Sequence, residues 1–103
     1  MPLKVKLETE HGERIEEAYF SPPFVLNQVL PTFDDASYQC WRFIDPYGHA
    51  TFNRLQMGTF IEELERINRS LDRPEQQAML DRIRDLARQC QNTPHRYLKF
   101  YGD

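Results

Sequence analysis

Residues that build metal centres and disulfide frameworks are scarce in this sequence. The two cysteines, Cys40 and Cys90, are far apart, match no CxxC pattern and stand among apolar residues, so we expect two free, buried thiols. The three histidines, His11, His49 and His95, share no metal-ligand spacing, and the carboxylates lack the pattern of a calcium loop. We therefore expect no metal site.

Membrane and cofactor signals are also lacking. No apolar run approaches the roughly 18 residues that a membrane span needs, and the residues after Met1 alternate instead of forming the apolar region of a signal peptide. The chain has no phosphate-binding glycine loop, no dinucleotide fingerprint and no nucleophile elbow. We expect a cytoplasmic protein with no membrane partner, no cofactor and no catalytic residue.

A basic cluster is missing as well. The 103 residues carry a net charge of −3, and residues 8–45 hold eight acidic residues against two arginines. The arginines of the second half alternate with acids at helical spacing, which is typical of a solvated helix surface. Because nucleic-acid binding needs clustered Lys and Arg to neutralise phosphates, we expect no nucleic-acid partner.

The clearest local signals lie between residues 44 and 70. Residues 45–48 read Asp-Pro-Tyr-Gly, which is typical of a type I turn, and Asn53 with Gln56 predicts a helix start with reciprocal side-chain caps. A second helix is predicted to start near Pro74. Each helix has one apolar stripe. The first stripe comprises Met57, Phe60, Ile61, Leu64, Ile67 and Leu71, and the second comprises Met79, Leu80, Ile83, Leu86, Ala87 and Cys90.

The remaining segments predict a sheet. Strands are predicted over residues 3–8, 15–19, 38–44, 49–52 and 96–101, with a short helix over residues 24–30. We place residues 38–44 at the centre because both faces of that segment are apolar, and we expect residues 49–52 to pair back on it. The predicted fold is a single α+β domain, residues 1–103, with an antiparallel sheet of four to five strands and an antiparallel helix pair packed on one face.

Three short motifs resemble those of a known family. They are IDPxG at residues 44–48, FNxxQ at residues 52–56 and LKFxGD at residues 98–103. Together they are similar to an uncharacterised family of small bacterial proteins with no assigned activity. The resemblance covers residues 38–103 and implies no catalytic residue.

Aromatic and acidic residues are interleaved in the first half of the chain, mostly in predicted loops. Aromatic side chains provide contact area at low entropic cost, and acids around them speed the encounter with a basic partner. We therefore predict a non-catalytic protein-protein interaction module, such as an inhibitor or immunity-type protein that neutralises a basic toxin. The predicted partner-binding residues are Glu16, Glu17, Tyr19, Phe33, Asp34, Asp35, Asp45 and Tyr47.

Two alternatives remain open. A small enzyme could use Asp45, His49 and His95 as an acid-base group, provided that these side chains converge in one pocket. The other alternative is a structural subunit that self-associates, for example as a homodimer through a sheet edge.

Overall fold

The first and last strands of the chain form the centre of the sheet. The computed structural model describes residues 2–20 and 22–102, and within these residues it has four strands. They are β1 (Lys4–Thr9), β2 (Arg14–Ala18), β3 (His49–Asn53) and β4 (Arg96–Tyr101). The order across the sheet is β2-β1-β4-β3, and all three pairings are antiparallel.

The alternating residues of β1 and β4 separate the two faces of the sheet. Val5 pairs with Phe100 and Leu7 pairs with Leu98, and all four side chains are buried. The residues between them, such as Lys6, belong to the opposite, polar face because successive side chains of a strand point to opposite sides. The predicted period of two is confirmed for both strands.

The predicted hairpin between β1 and β2 is confirmed. Its turn contains Gly12, which has a positive φ of 80° that glycine adopts without steric cost. Leu7 lies opposite Glu16 but Glu8 lies opposite Arg14, so β2 holds one extra residue at this point. Such a bulge interrupts the alternation of side chains, which explains the irregular sequence pattern of β2.

Both predicted helices are present. A 3₁₀ turn over Arg54–Gln56 leads into α1 (Met57–Arg69). The Asn53 side chain accepts a hydrogen bond from the Leu55 N–H at 2.9 Å, and the Gln56 side chain accepts one from the Asn53 N–H at 2.8 Å. The predicted reciprocal cap is therefore confirmed.

The second helix, α2 (Pro74–Asn92), begins with a proline whose missing N–H would have no partner in a first helical turn. All six residues of its predicted stripe are buried. Only residues 70–73 separate it from α1, so the two helices lie antiparallel on one face of the sheet. Among the described residues, neither helix has the length and apolar character needed to cross a lipid bilayer.

The predicted central strand over residues 38–44 is wrong. This segment forms a 3₁₀ turn over Trp41–Phe43 and stays outside the sheet, and β3 pairs with β4 instead of with this segment. Trp41 and Ile44 are buried while Phe43 between them is exposed, which is the three-residue spacing of a 3₁₀ turn. The backbone N–H groups of Cys40 and Trp41 donate hydrogen bonds to a side chain of α1, and they therefore need no neighbouring strand as a partner.

A long connection leads from β2 at one edge of the sheet to β3 at the other. We call its described part, residues 19, 20 and 22–48, the crossover segment; it contains only 3₁₀ turns and irregular structure. The short helix predicted over residues 24–30 is reduced to the 3₁₀ turn Leu26–Gln28. Connections of this length without α-helices or strands are uncommon and are often functional.

Candidate partner-binding groove

Glu63 on α1 holds the crossover segment against the helices. Its buried carboxylate accepts hydrogen bonds from the backbone N–H groups of Gln39 at 2.5 Å, of Cys40 at 3.0 Å and of Trp41 at 3.0 Å. A carboxylate that accepts several N–H bonds compensates for much of the cost of its own burial. The backbone just before residues 42 and 43 is therefore fixed to α1.

Trp41 anchors the same segment from within the core. Its ring stacks on Phe60 with 5.0 Å between ring centroids, and its indole N–H donates to the Phe60 carbonyl oxygen at 3.1 Å. The ring of Phe100 from β4 lies 6.3 Å away. Because aromatic pairs at this spacing pack favourably and the indole N–H is satisfied, the position of the chain at Trp41 is well determined.

The turn at residues 45–48 follows directly. The Asp45 carboxylate accepts a hydrogen bond from the Tyr47 N–H at 2.8 Å, and the Gly48 N–H donates to the Asp45 carbonyl oxygen at 3.2 Å. These bonds confirm the turn that the sequence predicts. They also orient Tyr47 outward, where 83% of its surface is exposed.

Three exposed aromatic side chains line one groove of the crossover segment. Phe33 is 82% exposed, Phe43 is 55% exposed, and with Tyr47 they border a groove of about 590 Å³. We call this the aromatic groove; its walls also include Leu30, Ile44, Asp45 and Pro46. Exposed apolar groups gathered in a concave surface are typical of a binding site.

Acidic groups accompany the aromatic groove. The crossover segment carries Asp34, Asp35 and Asp45 against a single basic residue, Arg42. Hydrogen bonds from the side chain and backbone of Ser37 lower the pKa of Asp35, and the nearby arginines act in the same direction. The Arg42 guanidinium lies over the Phe43 ring, 4.6 Å from its centroid. Asp45 and Arg42 line the groove itself, whereas Asp34 and Asp35 follow Phe33 in the chain and are not part of its walls. The excess of carboxylates therefore belongs to the crossover segment around the groove.

Five of the eight predicted binding residues do not line the groove: Glu16, Glu17, Tyr19, Asp34 and Asp35. Glu16 is on β2, where its carboxylate is 3.1 Å from the Arg82 guanidinium and accepts a hydrogen bond from Gln89 at 3.4 Å. Glu17, on the polar face of the sheet, is 3.2 Å from Arg14 and 4.0 Å from Lys6. The role of Glu16 and Glu17 in binding stays a prediction, but basic groups of the same chain neutralise both carboxylates and neither lines the groove.

Tyr19 also lies outside the aromatic groove. It is 78% exposed and borders a separate hollow of about 200 Å³ beside α2. Ala18, next to Tyr19, and Ala50, three residues after Tyr47, fall in the same row across the sheet with β1 and β4 between them, so these two positions are about 14 Å apart. The structure thus unites Phe33, Asp45 and Tyr47 in one groove and leaves Tyr19 outside it.

The residues of the enzyme alternative do not converge. His49 pairs with Tyr101 at one end of β4, whereas His95 precedes Arg96 at the other end. Five residue steps along a strand separate these ends by about 17 Å, beyond the reach of a shared hydrogen-bond network. His95 lies 3.1 Å from Glu10 instead of from Asp45. The geometry that this hypothesis requires is therefore absent from these three residues.

Sequence reasoning missed two contributors to this region. Phe43 was assigned to a central strand, and no role was predicted for Glu63. The available signal for Glu63 was its position, since it stands three residues after Phe60 and four before Ile67 on the apolar stripe. A charged residue at such a position is buried only when it has a specific partner.

A second group of titratable residues lies on the polar face of the sheet. The Tyr101 hydroxyl donates to the carboxylate of Glu8, which is also 3.0 Å from the Lys99 ammonium. Burial opposes ionisation of Glu8, but these two partners outweigh it and lower the pKa of the carboxyl. Burial and the same carboxylate raise the pKa of Tyr101 to about 12. The groups satisfy one another, which is typical of a structural network.

Compared with protein-family models, with curated proteins and with solved structures, the chain matches none of them.

Proposed function

We propose that this protein is a non-catalytic binding module that holds a basic segment of a partner protein in its aromatic groove. The observation that carries the proposal is the gathering of Phe33, Phe43 and Tyr47, all more than half exposed, around one concave surface. Aromatic side chains are enriched among the residues that dominate binding energy, because they bury a large area for few rotatable bonds.

The attachment of the groove to the core supports the same proposal. Glu63 and Trp41 fix the backbone on one side of Phe43, and the bonds of Asp45 fix the backbone around Tyr47. A surface that is ordered before binding loses less conformational entropy when the partner arrives. The irregular backbone of the crossover segment is thus compatible with a defined recognition surface.

The charge of the segment favours a basic partner. Asp34, Asp35 and Asp45 outnumber Arg42, and the whole chain has a net charge of −3. Complementary charge accelerates encounter and fixes orientation, while the apolar walls supply affinity. An inhibitor or immunity-type role fits this surface, because nucleases and other phosphate-binding proteins are themselves positively charged.

A groove variant and a matched control variant outside the groove test the proposal. We would immobilise the wild type, the double variant Phe33→Ser/Tyr47→Ser and the matched control Tyr19→Ser, and identify the proteins that each captures from the native cell. Tyr19 is about as exposed as Phe33 and Tyr47 but borders a different hollow, so Tyr19→Ser controls for nonspecific binding through an exposed aromatic side chain. We expect a basic protein that the wild type and Tyr19→Ser capture and the double variant does not.

Two results would contradict the proposal. One is capture that survives the double variant but is lost with Tyr19→Ser, which would place the binding surface beside α2. The other is a dimer of the isolated protein that dissociates in the double variant, which would make the groove a contact between two copies of this chain. Analytical ultracentrifugation of the three purified proteins measures their oligomeric state and would detect such a dimer.

A further inference from the structure

Gly102 meets the turn that carries Tyr47. It follows β4 directly, and its N–H donates to the Gly48 carbonyl oxygen at 2.6 Å. Because His49 pairs with Tyr101, this bond extends the ladder between β3 and β4 by one further pair. The motifs at residues 44–48 and 98–102 therefore form a single contact.

This contact leaves no room for a side chain. A Cβ atom on Gly102 would lie 2.5 Å from the Pro46 carbonyl oxygen and 2.6 Å from those of Asp45 and Gly48. Carbon and oxygen do not approach so closely without displacement, and all three oxygens belong to backbone that cannot rotate away. Gly58 at the start of α1 differs, since a Cβ there would meet nothing within 4 Å.

We infer that Gly102 is a positioning residue for the aromatic groove, an inference that rests on the proposed function. Pro46 and Tyr47 form one wall of the groove, and Gly102 contacts the same turn from the side of the sheet. The absence of a Cβ lets β4 hold this wall at a fixed distance from the sheet. A side chain at residue 102 displaces the turn and changes the spacing between Tyr47 and the other aromatic residues that line the groove.

The first test uses the wild type alone. Native-state hydrogen exchange followed by NMR should find the Gly102 amide protected together with the Gly48 amide, because both are bonded within the same contact. A Gly102 amide that exchanges as fast as an unstructured peptide would overturn the inference. This result is independent of whether any partner binds.

The second test compares Gly102→Ala with the control Gly58→Ala. We expect Gly102→Ala to move the backbone NMR signals of the turn and also those of Phe33 and Phe43, which line the same groove outside the turn. A merely structural role would lower the free energy of unfolding and leave the signals of Phe33 and Phe43 in place, and that outcome would contradict the inference. Gly58→Ala should leave all of these signals unchanged.

A binding measurement separates this inference from the proposed function. Peptides selected from a random library on the immobilised wild type should bind Gly102→Ala more weakly by about tenfold or more and should bind Gly58→Ala normally. If the selected peptides bind away from the groove while the signals still move in Gly102→Ala, Gly102 positions the turn and the proposed function is wrong. If groove peptides bind Gly102→Ala with unchanged affinity, the positioning role is wrong and the proposed function stands.

Discussion

Glu63→Gln should destabilise the protein strongly although it changes only one atom of the side chain. One carboxylate oxygen accepts the N–H groups of Cys40 and Trp41, and the other accepts that of Gln39. In the amide, one of these two positions becomes an NH₂ group, which donates and cannot accept. At least one backbone N–H then loses its partner and faces another donor.

The magnitude follows from the bonds that change. A hydrogen bond to a charged group contributes about 1.5–3 kcal/mol, and one between neutral groups contributes about 0.5–1.5 kcal/mol. The substitution removes one charged bond and converts two others into neutral bonds, so even the lower ends of these ranges give a loss of about 3.5 kcal/mol of unfolding free energy. This is a large fraction of the stability of a small domain.

Urea unfolding measured by tryptophan fluorescence is the appropriate assay. Trp41 is the single tryptophan and is buried, and its backbone N–H is one of the donors to Glu63. Glu62→Gln is the matched control because Glu62 is exposed, and it should change the free energy of unfolding by less than about 0.5 kcal/mol. If Glu63→Gln is no more destabilising than Glu62→Gln, the carboxylate does not hold the crossover segment.

Three further predictions concern pH and reactivity. Because the pKa of Tyr101 is raised to about 12, its contribution to stability should persist at neutral pH and be lost as pH rises through that value, and Tyr101→Phe should remove the last phenol transition in an ultraviolet titration. Because the pKa of the Glu8 carboxyl is lowered, its contribution to stability should be present above the pKa of the carboxyl in the unfolded chain and be lost as pH falls through the lower folded value. The urea unfolding midpoint of Glu8→Gln should therefore approach that of the wild type in acid. A constant difference between the two midpoints at every pH would contradict this. Burial raises the pKa of Cys40 and of Cys90 to about 11, so both thiols should react with a thiol reagent only after unfolding, and fast labelling of the native protein would show that they are accessible.

The sequence was sufficient where the signals are local. The cap at Asn53, the stripe of α2 and the alternation in β4 each depend on residues within a few positions of one another, and all were confirmed. The segment at residues 38–44 was misassigned because Glu63, which satisfies its N–H groups, is more than 20 residues away. The pairing of β3 with β4 could not be predicted either, since strand order depends on the packing of the whole chain.

The same distinction holds for the candidate site. Phe33, Asp45 and Tyr47 were recognised because turn residues and exposed aromatics have local signatures, and the structure places them in one groove. Glu16 was grouped with them because of its charge alone. Its basic neighbour Arg82 is 66 residues later in the chain, a pairing that only the folded structure brings about.

We propose that the aromatic groove binds basic peptide segments. An NMR titration of the wild type with peptides selected from a random library on the immobilised protein tests this proposal. We expect the selected peptides to contain Arg or Lys beside apolar residues and to shift the signals of Phe33, Phe43 and Tyr47, more weakly as salt is added. Selected peptides without basic residues, or shifts confined to the polar face of the sheet or to the helices, would contradict the proposal.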